Sequence, residues 1–332
     1  MPVRVALNGF GRIGRSFLRC ALERDLDVVA LNEQAPVNVL AHLLTYDSTY
    51  GRLPIPVHHD ESAIYLDRTP VSVSAIPEPG ELPWGALGVD VVIDATAHVE
   101  SREWAAGHLK AGARKVIVAA PLEDADLTVV LGVNEGHYEA MRHDVISASS
   151  ATINCVAPIL KVLHDAFGVM KGFVSVVHGY TSDQTLLDSP HDDVHRARSG
   201  AVNIIPIRTS AARSLGAVLP DLEGRLDVVM LHVPVEDGSL AELTVMLERP
   251  ASAGEVNVVI RRAAEGGLSG IVQVTTDPIV SRDVLAEPVS CLFDMSLTRS
   301  SGDLVRMFAW FDNEWAFANR LADLVEYVGH RL

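Results

Sequence analysis

A short apolar run, Val3 to Asn8, leads directly into Gly9-Phe10-Gly11-Arg12-Ile13-Gly14. Helical spacing follows at once, with Ile13, Phe17, Leu18 and Ala21 on one face. A second apolar run, Leu26 to Leu31, closes on Asn32-Glu33. Strand, glycine turn, helix and strand thus fit in about 30 residues, the size of a parallel crossover. Each glycine has a physical task in such a turn. Gly9 permits the tight bend, Gly11 lets backbone approach a pyrophosphate, and Gly14 lets the helix pack close to the strand. The helix start offers free N–H groups and the positive end of its dipole to phosphate. Glu33, nineteen positions after Gly14, is placed to accept hydrogen bonds from a ribose, and its charge repels a 2′-phosphate. The expected cofactor is therefore NAD rather than NADP.

Val89 to Asp94 and Lys115 to Ala119 are continuous apolar runs, as strands covered on both faces should be, and Val145 to Ser147 adds another. Arg102 to Ala111 is expected to be helical. Pro54 to Pro83, rich in proline and charge, is expected to be a peripheral β excursion. After about residue 150 the pattern changes. Thr152 to Phe167 has helical spacing. Phe173 to His178, Leu226 to Pro234, Ala241 to Leu247 and Ser290 to Asp294 alternate like antiparallel strands with one packed face. Trp315 to Val328 is again helical. The expected fold class is α/β, a Rossmann doubly wound parallel sheet plus an α+β catalytic domain with a mainly antiparallel sheet. The expected domains are 1–150, completed by a C-terminal helix at 315–332, and 151–314.

The 332 residues carry a net charge of −16, which disfavours nucleic acid and anionic membrane as partners. The three cysteines, Cys20, Cys155 and Cys291, are odd in number and widely spaced, a pattern of reduced thiols rather than a disulfide framework or a zinc site; no metal is expected. The first residues show no basic stretch followed by an apolar one. No apolar run reaches the roughly 18 residues of a membrane span. A cytoplasmic location is the expectation.

Several separated motifs then point to one family. Asn8 to Arg15, Ala41-His42-Leu43-Leu44, Tyr46-Asp47-Ser48 and Tyr50-Gly51-Arg52 resemble the early segments of glyceraldehyde-3-phosphate dehydrogenases. Asn154-Cys155-Val156-Ala157-Pro158, the run His178 to Gln184, Asn203-Ile204-Ile205-Pro206 and Asp312-Asn313-Glu314-Trp315 continue the resemblance in order along the chain. Erythrose-4-phosphate dehydrogenase is a close relative, which Asn32-Glu33 and Phe317-Ala318-Asn319 resemble, while the segment after His178 is more similar to the glyceraldehyde-phosphate enzymes. The resemblance implies an NAD-dependent, phosphorylating aldehyde dehydrogenase. In that chemistry a cysteine thiolate attacks an aldehyde, hydride passes to NAD, and inorganic phosphate attacks the resulting thioester. It implies that His178 is the acid–base group and that Asn313 fixes the nicotinamide carboxamide. Gly9, Gly11, Arg12, Ile13, Gly14, Glu33, Thr96 and Ala119 are the implied cofactor contacts. Ser150, Thr152, Thr181, Arg196, Thr209, Ser210 and His232 are the implied substrate and anion contacts. The partners implied are a small aldehyde, a sugar phosphate in the family, inorganic phosphate, and further copies of the chain in a homotetramer.

The departures from the family pattern carry as much information. The family motif Ser-Asn-Ala-Ser-Cys-Thr-Thr-Asn-Cys stands here as Ser147-Ala148-Ser149-Ser150-Ala151-Thr152-Ile153-Asn154-Cys155, so the nucleophile position is Ala151. A methyl group cannot form a thiohemiacetal. Cys155, one helical turn on, is expected to be a buried structural thiol rather than a substitute nucleophile. His178 remains 27 residues after the alanine, as the family spacing requires, which suits an original cysteine exchanged for alanine. Other changes suit natural divergence. Histidine replaces the family's phosphate-gripping arginine at 232, Ser210 replaces glycine, Ala97 and Ala119 replace small motif residues, and Phe311 and Phe317 lack hydroxyls. Three readings follow: a phosphorylating aldehyde dehydrogenase without its thiol, a diverged relative acting on NAD or a non-phosphorylated ligand, and a non-catalytic NAD-binding protein.

Overall fold

A computed structural model describes residues 2–96, 98–207 and 209–332, so Ala97 lies outside the described residues. Two compact units divide the chain: Met1–Val129, Gly136–Ser149 and Ala318–Leu332 form one, Val130–Glu135 and Ser150–Phe317 the other. Val130 and the short segment after it are drawn into the second unit by packing. Val130 belongs to that unit's apolar core. A Cβ at Gly132 would overlap Leu268 Cδ2 at 2.5 Å.

In the first unit the strands are β1 (Val3–Asn8), β2 (Leu26–Asn32), a two-strand ribbon of β3 (Tyr46–Asp47) and β4 (Gly51–Arg52), β5 (Val57–His59), β6 (Ala63–Leu66), β7 (Thr69–Ser74), β8 (Val91–Asp94), β9 (Lys115–Val118), β10 (Leu127–Thr128) and β11 (Val145–Ser147). The nine-stranded sheet runs β10-β11-β9-β8-β1-β2-β7-β6-β5. Its body is parallel. β8 and β9 are buried along their whole length, the burial that produces unbroken apolar runs. The proline-rich excursion forms the antiparallel edge β5-β6-β7. Helices α1 (Arg12–Ala21) and α2 (Val37–Thr45) follow the first two strands. The expected helix at 102–111 is instead two short pieces, α3 (Arg102–Ala105) and α4 (Gly107–Lys110). Gly107, a poor helix former, sits where a Cβ would meet Pro79 Cβ at 2.9 Å, so close packing demands the residue that weakens the helix.

The second unit holds the 17-residue α5 (Ala151–Phe167), buried on nearly every side from Thr152 to Leu160. Its sheet contains β12 (Val169–Gly179), β13 (Ile205–Ile207), β14 (Leu226–Val233), β15 (Ser239–Leu247), β16 (Val272–Thr275), β17 (Cys291–Ser301) and β18 (Leu304–Phe311), in the order β13-β14-β12-β15-β18-β17-β16. It is mainly antiparallel, with parallel pairs β12/β14 and β16/β17. β15 alternates buried and half-buried residues without a break, the signature of a sheet packed on one face. Helices α6 (Ala211–Val218) and α7 (Ala253–Glu265) flank it, and α8 (Trp315–Gly329) ends the chain's regular structure. No helix among the described residues is long and apolar enough to cross a membrane.

Candidate functional site

The first unit carries a glycine turn at the carboxyl end of β1. Gly9 has φ +93°, and a Cβ there would meet Ala95 C and Thr96 N at 2.9 Å, so only glycine fits between the two loops. A Cβ at Gly14 would overlap Gly9 O at 2.3 Å, while at Gly11 nothing lies within 4 Å. Gly11 is the N-cap of α1, with no side-chain cap bond and no acidic residue in the first turn. The start of α1 is thus open and uncapped, the arrangement that accepts an anion. Arg12 and Ile13 are its first two residues. Glu33 receives the N–H of Phe10 at 2.9 Å and of Gln34 at 2.8 Å, which pins its carboxylate beside the turn. It also lines an open cleft of about 720 Å³ with Gln34, Pro36, His59 and Ser74.

Beneath the turn lies a buried polar network that the motif search did not isolate. Trp84 Nε1–H can only donate, and it donates to His108 Nδ1 at 2.9 Å. In the neutral ring Nε2 therefore carries the proton, which goes to Asp94 Oδ2 at 3.0 Å. Asn8 Nδ2 donates to the same oxygen, and Thr96 N and Oγ1 donate to Asp94 Oδ1. Burial alone would raise the Asp94 pKa, but the bonds from His108, Thr96 and Asn8 outweigh it and hold the carboxyl below its usual range. Ala119 N donates to Asp94 O at 2.8 Å. The network brings Thr96, Ala119 and the end of β1 together at the carboxyl ends of the central strands.

The second unit assembles the remaining predicted residues in three places. At the start of α5, Ser150 is the N-cap and its side chain accepts from Ile153 N, so half-exposed Ala151 is the first helical residue and buried Thr152 the second. At the start of α6, Thr209 Oγ1 accepts from Ala211 N, and Ser210 is the N-cap without a side-chain bond. The third place is a cluster around two histidines. His178 and His232 sit at paired positions of β12 and β14, rings stacked with centroids 5.0 Å apart. His178 Nδ1 lies 2.6 Å from Gly179 O. A carbonyl only accepts, so Nδ1 is the donor and Nε2 of the neutral ring carries the lone pair of a base. Gln184 Oε1 accepts the Thr181 N–H, which orients the amide, and so must also accept from His232 Nδ1 at 2.6 Å. His232 thus presents an acceptor, Nε2, where the family pattern has a cationic fork. Asp183 accepts from both the Thr181 hydroxyl and the Arg196 guanidinium, so the expected anion-binding groups there are already bonded to a carboxylate. Gln184 and Asp183 stood in the quoted motif without a role; their spacing to Thr181 is the signal that could have marked them.

Burial, and secondarily the neighbouring His178, pushes the His232 pKa down to about 4. An unfolded histidine titrates near 6.5, so the unfolded chain takes up this proton first as the pH falls. Stability from this group is complete above about pH 6.5 and is lost progressively toward pH 4. Urea unfolding should show about 2–3 kcal/mol of loss from this group between pH 7 and pH 4.5. His232→Gln should flatten that segment of the curve, and an unchanged pH dependence in the variant would refute the assignment.

Asn313 is buried, its Oδ1 accepting from the Ser239 hydroxyl and its N–H donating to Asp237 Oδ1 at 2.9 Å. Its Nδ2 has no partner. Asp237, Asp312 and Glu314 are the one acidic group among the described residues whose oxygens lie within 4.8 Å of one another. Asp237 accepts from the backbone of Gly238 and Asn313, and Asp312 from that of Ala286, Glu314 and Trp315. Those bonds give two of the carboxylates a loop-holding role. Cys155 is fully buried beside Cys291, whose thiol is pushed well up, by burial first and then by its contact with Cys155.

Comparison with known proteins agrees with this architecture. Residues 3–102 match the family model "Glyceraldehyde 3-phosphate dehydrogenase, NAD binding domain", and residues 150–313 match "Glyceraldehyde 3-phosphate dehydrogenase, C-terminal domain". Over the whole of both chains the sequence is 48% identical to glyceraldehyde-3-phosphate dehydrogenase 1 of Streptomyces avermitilis. It is 46% identical to the glyceraldehyde-3-phosphate dehydrogenases of Streptomyces coelicolor and Mycobacterium tuberculosis, again over the whole of each.

Proposed function

The chain belongs to the glyceraldehyde-3-phosphate dehydrogenase family and is an NAD-binding dehydrogenase by type; from that premise we propose that it keeps the cofactor- and proton-handling groups of a phosphorylating aldehyde dehydrogenase but performs no thioester chemistry. The observation that carries this is Ala151 at the first position of α5, the place where a thiolate would be stabilised by the helix dipole. The side chain there has neither a lone pair nor a proton.

The residues present suit NAD. The open, uncapped start of α1 at Gly11 takes the pyrophosphate, and Glu33 takes the adenosine ribose. The orphaned Nδ2 of buried Asn313 takes the nicotinamide carboxamide oxygen. Bound NAD supplies the hydride acceptor. His178, with Nδ1 tied to Gly179 O, offers Nε2 to take a proton from a substrate hydroxyl and return it. Ser150, Thr152, Thr209 and Ser210 supply hydroxyls and amides at two helix starts for an anion such as inorganic phosphate. A homotetramer is the assembly we infer. Leu186, Leu187, Val194, Val202 and Ile204, in one loop region, are 67–79% exposed, which supports a surface covered by another copy. The cytoplasm is the compartment we infer, in keeping with three buried cysteines that form no disulfide among the described residues.

His232 favours a second reading, a relative whose ligand lacks phosphate. A neutral, buried imidazole beside an Arg196 already bonded to Asp183 offers little to a dianion. One experiment separates the two. The unmodified chain is titrated with NAD and NADP, then assayed for NADH formation with glyceraldehyde 3-phosphate and with glyceraldehyde, each with and without phosphate. We expect NAD to bind at least about tenfold more tightly than NADP, about 1.4 kcal/mol, with no phosphate-dependent NADH. Phosphate-dependent turnover defeats the first reading; phosphate-independent turnover of the unphosphorylated aldehyde favours the second.

A further inference from the structure

We propose that Ser239 is a positioning residue that sets which way the Asn313 amide faces and, through the N–H and C=O of Gly179, ties that setting to His178. The inference rests on the reading that Asn313 Nδ2 serves the nicotinamide carboxamide.

The argument is one of proton counting. Ser239 opens β15 and is completely buried. Its Oγ accepts the Gly179 N–H at 3.2 Å. A hydroxyl has one proton and two lone pairs. With one lone pair occupied, the proton goes to Asn313 Oδ1, the acceptor bonded to it. If the amide were flipped, Oγ would accept twice, and its own proton would lose the acceptor that now satisfies it, in a fully buried setting. An unsatisfied buried donor is costly, so the hydroxyl holds the amide with its oxygen inward and its NH₂ free.

Two more contacts make the setting rigid. Asn313 N–H is bonded to Asp237 Oδ1, which fixes the backbone beneath the amide. A Cβ at residue 179 would come within 2.9 Å of Asn313 Nδ2, so glycine there leaves room for the amide nitrogen. The carbonyl of the same residue, in the next peptide group, accepts the His178 Nδ1 proton. His178, Gly179, Ser239 and Asn313 therefore form one chain of directed bonds. Its two ends are the His178 ring and the amide nitrogen of Asn313, which has no partner among the described residues.

The test compares NAD with ADP-ribose, which lacks the nicotinamide, by calorimetric titration of Ser239→Ala, Asn313→Ala, the double variant and Ser239→Thr. Ser239→Ala should weaken NAD about tenfold and leave ADP-ribose unchanged. The double variant should be no weaker than Asn313→Ala alone, because two residues acting through one bond are not additive. Ser239→Thr, which keeps the hydroxyl, should stay within about threefold of the parent. Equal loss of NAD and ADP-ribose, additive losses, or unchanged NAD affinity in Ser239→Ala would each overturn the role of Ser239. An Asn313→Ala chain that still prefers NAD as the parent does would instead remove the carboxamide reading beneath it. Should Ser239→Ala not fold, Asn313→Asp substitutes for it. There the hydroxyl can still donate but the free atom becomes an acceptor, so NAD should weaken against unchanged ADP-ribose, and unchanged NAD affinity removes the carboxamide reading and with it the role of Ser239.

Discussion

Replacing Ala151 by cysteine should raise phosphate-dependent NADH formation from a triose or tetrose phosphate by roughly 10⁴–10⁶-fold, the scale on which removal of a covalent nucleophile lowers turnover elsewhere. The physical case begins with the helix. Residue 151 is the first helical residue of a 17-residue helix whose first turn holds no acidic side chain. The aligned peptide dipoles place partial positive charge there, which lowers a thiol's pKa and raises the thiolate fraction at neutral pH. Ser150 already caps the helix, so the exchange adds one sulfur to a half-exposed position without disturbing the cap. Iodoacetamide should label the introduced thiol quickly at pH 7. Cys155 and Cys291, fully buried, should stay unlabelled in parent and variant alike. Mass spectrometry of the acid-quenched reaction should find an acyl group at position 151 only. A variant that is labelled yet forms no NADH with any triose or tetrose phosphate would break the link between this fold and the family's phosphorylating chemistry. An acyl group on Cys155 of the parent would refute the assignment of that thiol to the core.

The second large effect belongs to His178. In the Ala151→Cys background, His178→Asn should lower turnover by roughly 10²–10⁴, the range for a positioned acid–base group. Nδ1 is committed to Gly179 O at 2.6 Å, so the ring can exchange a proton only through Nε2. Asparagine keeps some polarity but cannot take up a proton in the working range. The pH dependence of thiol alkylation separates this from a packing defect. On the role proposed for His178, alkylation should persist below pH 7 with the histidine present, and in the variant the apparent pKa of the introduced thiol should climb toward about 8.5. Equal alkylation profiles, with turnover lost, would leave His178 a structural histidine in the His232 stack.

Much of the fold was legible because its causes are local. The glycine turn follows from backbone sterics: a φ of +93° with loop backbone 2.9 Å from any Cβ leaves one residue type for Gly9. The parallel strands declared themselves as unbroken apolar runs because both their faces are covered. β13, β16 and β18 were not marked in advance. The three-residue β13 and four-residue β16 are too short for periodicity to register. β18 is apolar at every position but Arg306, so no alternation shows in its sequence, and its place comes from pairing with β15 and β17. The break at Ala106 was hidden for a similar reason, because Pro79 is what forbids a side chain at Gly107.

The amino-acid order alone determined the two-part plan, the glycine turn, the alanine at 151 and the histidine at 232, because each rests on residue identity or on neighbours within a turn or a strand. Only the tertiary structure decided what those residues can do. His232 is neutral because burial, and secondarily His178 on the paired strand, make it so, and its Nδ1 is the donor because Gln184, 48 residues away, accepts there. Asn313 faces as it does because Ser239, 74 residues away, has a single proton to give. Hydrogen-bond direction and desolvation depend on partners that the chain brings together only by folding, and no local pattern encodes them.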